Sequence, residues 1–235
     1  MALGALPGPA EKAAVVRAMF DRIAPHYDRL NAVLTWRLDR RWRRAAIAAA
    51  DLGPGTVAVD VACGTGDLAA LAAGTGARVV GVDFAAGMLA GARRRGVDAQ
   101  LARADATALP IATASTDAVT CGFALRNFVA IPPMLAEAAR VLRPGGRLVL
   151  LEVATPSSRL VRWGHRLYFD RIVPRIGAWL ADEAAYAYLP QSVSYLPDPP
   201  ALRHMVMRAG FRDITRRTLG LGAVQLLRAR RAEAP

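Results

Sequence analysis

The amino-acid sequence predicts an α/β fold built on a doubly wound, mostly parallel sheet. Three observations predict it. From residue 56 short apolar runs alternate with helical ones, and the first run, TVAVDVA, ends in the glycine loop DVACGTGD at 60–67. Turn residues fall where helices must stop, as in GTG at 74–76 and RPGG at 143–146.

Taken in order, TVAVDVA is the first strand and DLAALAAGTG a short helix closed by Gly74 and Gly76. ARVVGVD is the second strand, followed by a helix over 85–95. VDAQLARAD and TDAVTCGFAL are the third and fourth strands, and a helix over 132–142 is stopped by RPGG before the fifth strand, RLVLLEVA. Strands of this kind lie in a parallel sheet covered on both faces, with ligands beyond their carboxyl ends. Residues 10–51 read as an N-terminal helical lid, and 157–200 as a helical insertion after the fifth strand on the substrate side. Residues 201–230 supply a closing helix and two strands, at 211–218 and 222–230. The expectation is a Rossmann-like, seven-stranded sheet with helices on both faces. It forms one domain over 1–235 whose cofactor-binding core is 56–156. LPDPP at 196–200 reads as a turn, not a linker.

Composition sets bounds. A chain of 235 residues with 54% hydrophobic content can bury a full core as one domain. The net charge of +12 would suit nucleic acid or an anionic surface, but Lys12 is the only lysine and alanine is abundant. A GC-rich genome produces that bias unaided, so charge names no partner. Cys63 and Cys121 lie in apolar strand-like runs, which suggests neither a disulfide framework nor a metal cluster and fits a reducing cytoplasm. The start MALGALPGPAEKAAV lacks a basic region and an apolar core, and no run of about 18 apolar residues occurs. The expectation is a cytoplasmic protein, neither secreted nor membrane-spanning.

Read to Ala69, the loop fits G-x-G-x-x-A (Gly64, Gly66, Ala69), a pattern that can cradle a dinucleotide pyrophosphate. Asp60 and Asp67 bracket it, and fixed carboxylates repel phosphate. S-adenosylmethionine removes the conflict, because it has no phosphate and carries an ammonium and a sulfonium. Asp83 ends the second strand, 19 residues after Gly64, where a carboxylate accepts ribose hydroxyls of either cofactor. Asp105 and Ala106 follow the third strand, where the acid can accept an adenine amino group and alanine leaves room for the ring. Each aspartate alone reads as a cap or turn. In order, at successive strand ends, they favour the cofactor.

These stretches resemble a known family. DVACGTGD, GVDFAAGML, ADATALP, FALRN and RVLRPGGRLVLLE resemble the successive motifs of class I S-adenosylmethionine-dependent methyltransferases. MFDRIAPHYDRLNAVLTWRLDRRWRR at 19–44, LRN at 125–127 and AYAYLPQSV at 185–193 are similar to the ubiquinone/menaquinone-biosynthesis C-methyltransferases. The resemblance spans residues 15–225. It implies S-adenosyl-L-methionine held by Asp60, Gly64, Thr65, Gly66, Asp83, Phe84, Met88, Asp105, Ala106 and Gly122. It also implies carbon methylation of a prenylated quinol, foremost demethylmenaquinol to menaquinol. The chain departs from the family pattern at Gly122, where Ser is common, at Ala124, at FVA after LRN, and in the ending LGLGAVQLLRARR.

A quinol ring carbon becomes nucleophilic when the adjacent hydroxyl ionises, so something must take or stabilise that charge. Arg126, with Asn127 as a second donor, can do so after the fourth strand; the plain alternative is an ion-paired arginine. In the lid His26 titrates in the range of a general base, although a lone histidine is commonly incidental. Tyr27, through the resemblance, covers the cofactor or positions the substrate, and Asp28 follows it.

Residues 159–179 interleave five arginines with aromatics, as an interfacial helix does, and so suggest peripheral membrane contact; the alternative is an amphipathic helix packed on the sheet. Two other readings stay open: a same-fold methyltransferase of a secondary-metabolite aromatic, and a non-methylating S-adenosylmethionine-binding cyclase. Nucleic acid is disfavoured, since neither an Asn/Asp-Pro-Pro-Tyr/Phe motif nor a separate nucleic-acid module occurs. The oligomeric state is not read from the sequence, a homodimer being one expectation.

Overall fold

The computed structural model describes residues 8–156, 158, 163, 188 and 191–233. Three helices precede the sheet: α1 (Pro9–Ile23), α2 (Tyr27–Leu34) and α3 (Asp39–Ala50). Then follow β1 (Val57–Val61), α4 (Asp67–Ala73), β2 (Arg78–Asp83), α5 (Ala86–Arg94), β3 (Gln100–Arg103), β4 (Thr116–Gly122), α6 (Ile131–Val141) and β5 (Leu142–Val153). A helix, α7 (Pro199–Arg208), and strands β6 (Phe211–Leu219) and β7 (Val224–Arg231) close the fold.

The seven strands run in the order β3-β2-β1-β4-β5-β7-β6. All neighbours pair parallel except β7, which runs antiparallel to both β5 and β6. The apolar strand runs are buried on both faces because helices cover both. On one face α6 and α7 bury Met134, Leu135, Leu202 and Val206, and on the other α3 and α4 bury Ile47, Ala50, Leu68 and Ala69. Each fully buried Leu or Met contributes about 1.5–3 kcal/mol by leaving water. Cys63 and Cys121 are buried.

Two turn expectations are corrected. RPGG lies inside β5, not before it: Thr116 pairs with Leu142 but Ala118 with Arg147, so the extra residues form a bulge. A Cβ on Gly146 would stand 2.8 Å from the Arg143 carbonyl oxygen, which only glycine avoids. LPDPP does not merely turn the chain, because Asp198 caps α7 by accepting from the Ala201 N–H at 2.7 Å and proline occupies the first helical turn.

The N-terminal helices lie against the carboxyl ends of the strands, where Phe20 and Tyr27 line a cavity with Gly64 and Asp83. Asp21 accepts the Gly87 N–H at 2.7 Å, fastening α1 to the first turn of α5, while Val16 and Met19 pack with Tyr188. The arginine- and aromatic-rich run at 159–179 lies outside the described residues apart from Trp163, which is exposed. No helix among the described residues is long and apolar enough to cross a membrane.

Candidate active site

The chain leaves β1 through Ala62 (φ 54°) and Gly64 (φ 58°) and enters α4 at Gly66 (φ 85°). A Cβ on Gly66 would lie 2.9 Å from a Val97 methyl, so glycine is required there by both conformation and space. The Gly64 N–H donates to Asp83 Oδ2 and the Ala85 N–H to Asp83 Oδ1, each at 2.8 Å. One carboxylate thus locks the glycine loop to the β2–α5 turn. Burial pushes the Asp83 pKa up, and its backbone bonds to Ala85, Gly64 and Phe84 oppose that rise.

Beyond these strand ends lies a cavity of about 330 Å³. Of the residues proposed from sequence, Tyr27, Gly64, Asp83, Phe84, Met88, Asp105, Ala106, Gly122 and Asn127 line it. Among the described residues its wall carries two carboxylates, Asp83 and Asp105, and neither lysine nor arginine. That suits a ligand free of phosphate and bearing positive charge, and it opposes a dinucleotide. At Gly122, where the family serine is common, a Cβ would stand 2.6 Å from a Leu68 methyl, so a larger residue there needs the Leu68 side chain to shift.

Five proposed residues do not line the cavity. Gly66 faces Val97 and Ala92. His26 is exposed at the start of α2, which leaves it badly placed for a base. Thr65 is buried and donates to Asp28 Oδ1 at 2.5 Å. Asp28 pairs with Arg95, which also holds Asp67 at 2.8 Å, and Asp67 pairs with Arg43 at 3.2 Å. Asp67 is therefore neutralised, and the exclusion of phosphate rests on Asp83 and Asp105 rather than on it. Arg126 is neither a surface arginine nor in the cavity: it is buried against Glu152, Nη1 lying 2.6 Å from Oε1, and it donates to the Phe123 carbonyl at 2.9 Å.

Asp60 sits beneath the loop. It accepts from the Thr120 hydroxyl at 2.7 Å, while its Oδ2 is buried without a hydrogen-bond partner. Burial pushes its pKa up to about 7, opposed by the Thr120 bond, the Arg43 charge and the Ala69 N–H, whose approach falls short of hydrogen-bond geometry. A carboxyl whose folded pKa is raised binds its proton more tightly than the unfolded chain does, so stability falls as pH climbs from about 4 to about 7. Asp60→Asn should flatten that part of the curve, gaining most over the wild type at pH above about 7. Thermal unfolding of both proteins across that range checks it, and parallel curves would refute it.

Sequence reasoning missed Phe20, Phe123 and Phe128 in the cavity wall, and the supporting pair Glu152 and Tyr188. The Tyr188 hydroxyl donates to Asn127 Oδ1 at 3.3 Å, and burial pushes its pKa up to about 12, so it keeps its proton. An acid at the end of an apolar strand was the available signal for Glu152.

A doubly wound sheet with an antiparallel seventh strand and a phosphate-averse cavity at its carboxyl edge defines the methyltransferase class of this fold. A solved S-adenosylmethionine-dependent methyltransferase of Thermotoga maritima shares that fold, with a TM-score of 0.65 at 20% identity over 92% of this chain and 99% of its own. The model of the ubiE/COQ5 methyltransferase family matches residues 9–230, and the chain belongs to that family. It is an S-adenosylmethionine-dependent methyltransferase. Among its relatives, the demethylmenaquinone methyltransferase of Roseiflexus castenholzii is 43% identical, covering 94% of this chain and 95% of that protein. That of Deinococcus radiodurans is 47% identical, covering 86% and 87% respectively.

Proposed function

We propose that this protein methylates a ring carbon of a prenylated quinol, converting demethylmenaquinol to menaquinol, in the cytoplasm and in peripheral contact with a membrane. The observation that carries the reading is the cavity wall, which brings the apolar side chains Phe20, Phe123, Phe128 and Val129 together with the polar Asn127. The names of the relatives accord with it.

S-adenosylmethionine supplies an electrophilic methyl group when bound. Asp83 keeps lone pairs for ribose hydroxyls, and Asp105, one oxygen of which caps Thr107, keeps the other for an adenine amino group beside Ala106. Phe20 and Tyr27, in edge-to-face contact at 6.1 Å, roof the cavity and exclude water. Because Tyr188 occupies Asn127 Oδ1, the Asn127 amide N–H groups remain as donors for the oxygen that gains charge as the quinol reacts. Arg126 positions rather than touches: its bonds to Glu152 and the Phe123 carbonyl hold the turn that presents Phe123 and Asn127 to the cavity.

Labelled S-adenosylmethionine with a panel of reduced and oxidised quinones, followed by mass analysis, tests this. Methyl transfer to carbon is expected with quinols alone. Equal reaction of oxidised quinone would refute the ionised-hydroxyl chemistry, and transfer only to a small soluble aromatic would favour the secondary-metabolite reading. Cofactor binding with no transfer to any acceptor would favour the cyclase.

A further inference from the structure

Two large apolar side chains stand in water at the protein's carboxyl edge on left-handed backbone. Trp36 (φ 51°) is 79% exposed in the turn between α2 and α3, and Leu221 (φ 57°) is 83% exposed at the tip between β6 and β7. A bulky residue at positive φ is strained, and neither side chain recovers the cost by packing. Val33 and Leu38 flank Trp36 and are also exposed.

The two tips are neighbours. Trp42, one turn into α3, packs against Gly220, where a Cβ would come within 2.8 Å of its ring. Leu38 lies one turn before Trp42, its carbonyl accepting the Trp42 N–H, and Leu221 follows Gly220. Trp42 also meets Phe123, a wall of the cavity, at a ring separation of 6.4 Å. Val224, just past the tip, pairs with Val153 at the carboxyl end of β5. Both tips therefore lie on the carboxyl side of the sheet, where the cavity is.

The surround is cationic. Arg37, Arg40, Arg41, Arg44 and Arg217 are exposed, and the first four have no ion pair among the described residues. Within 29–50 the only acid is Asp39, buried against Arg43, and 214–232 contains none. Apolar knobs in an arginine field fit an anionic lipid surface, which accepts aromatic and aliphatic tips between head groups and attracts the guanidinium ring around them. A second copy of the chain fits poorly, because a two-fold contact would set these arginines against themselves.

We infer that the α2–α3 corner and the β6–β7 tip form one docking surface for anionic membranes, which sets the cavity mouth against the bilayer. The surface stands whatever the substrate; its purpose rests on the quinol reading, since a polyprenyl tail could then stay in lipid while the ring enters.

Flotation of the full chain with phosphatidylglycerol-containing and with pure phosphatidylcholine vesicles, at low and high salt, tests it. Two double variants accompany the wild type: Trp36→Asn with Leu221→Asn, since Asn tolerates positive φ, and Arg40→Glu with Arg41→Glu. The wild type should float with anionic vesicles at low salt and remain behind with neutral ones or at high salt. Both variants should lose roughly tenfold or more in partitioning, a factor set by losing one kcal-scale anchor or more. They should keep wild-type affinity for S-adenosylhomocysteine and wild-type turnover of a short-chain quinol in solution. Wild-type flotation by both variants, or no flotation of the wild type, would overturn the surface. So would a switch from dimer to monomer in the variants on sedimentation, which would assign it to a contact between copies. Absence of wild-type turnover on every quinol, with flotation as expected, would count against the quinol reading alone.

Discussion

Arg126→Ala is expected to lower stability by about 3–5 kcal/mol, the cost of leaving one member of a buried ion pair behind. Glu152 is 1% exposed, and both its oxygens are directed at Arg126, Oε1 at the guanidinium and Oε2 at the backbone N–H. Without the guanidinium its charge has no water to turn to. In a chain of this size the loss should depress the melting temperature by about 10 °C. Adding Glu152→Gln to Arg126→Met should restore much of it, because the amide oxygen can still accept the Val153 N–H while no charge is buried. A melting temperature unchanged by Arg126→Ala would remove the pair from the fold's support. Activity adds a second readout. At a temperature where Arg126→Ala is folded, kcat should fall while the KM for S-adenosylmethionine holds, since the displaced groups are Asn127 and Phe123 rather than Asp83. A fall confined to cofactor affinity would contradict this positioning role.

Asp83→Ala is expected to weaken binding of S-adenosylhomocysteine by about 1–3 kcal/mol, or roughly 5- to 150-fold, the cost of losing hydrogen bonds to a charged group. The carboxylate has two tasks, since it holds the Gly64 and Ala85 N–H groups as well as facing the cavity. Asp83→Asn keeps one carbonyl oxygen and should fall between the wild type and alanine. Calorimetry on the three proteins decides it, with NAD as the control that should not bind. Affinity unchanged in Asp83→Ala would place the ribose elsewhere, and tighter binding of NAD than of S-adenosylhomocysteine would overturn the ligand class.

The core of the site was legible because its determinants are local. A glycine loop at a strand end and acids at the ends of the next two strands sit at spacings that a βαβ unit converts directly into positions around one crevice. Gly64, Asp83 and Asp105 therefore fall in the cavity, which Asn127 joins from the turn after β4 and Tyr27, named through the resemblance, from α2. Bulges and helix starts were less legible, because RPGG and LPDPP carry the same residues whether they stop a helix, bend a strand or cap the next helix.

By itself the sequence determined the seven-stranded order of elements and the strand ends that face the cavity, since apolar periodicity and glycine placement act over a few residues. Only the tertiary structure decided which charges were free to do chemistry. Asp67 and Arg126 look alike in sequence as polar residues after core strands, yet Asp67 is shared between Arg43 and Arg95, from α3 and the end of α5, and Arg126 is held by Glu152 from β5. A charge is set by whatever partner the fold brings within a few ångströms, and those partners lie 24 to 28 residues away in the chain. The same holds for Trp36 and Leu221, which no local pattern links and which Trp42 brings to one edge by packing on Gly220.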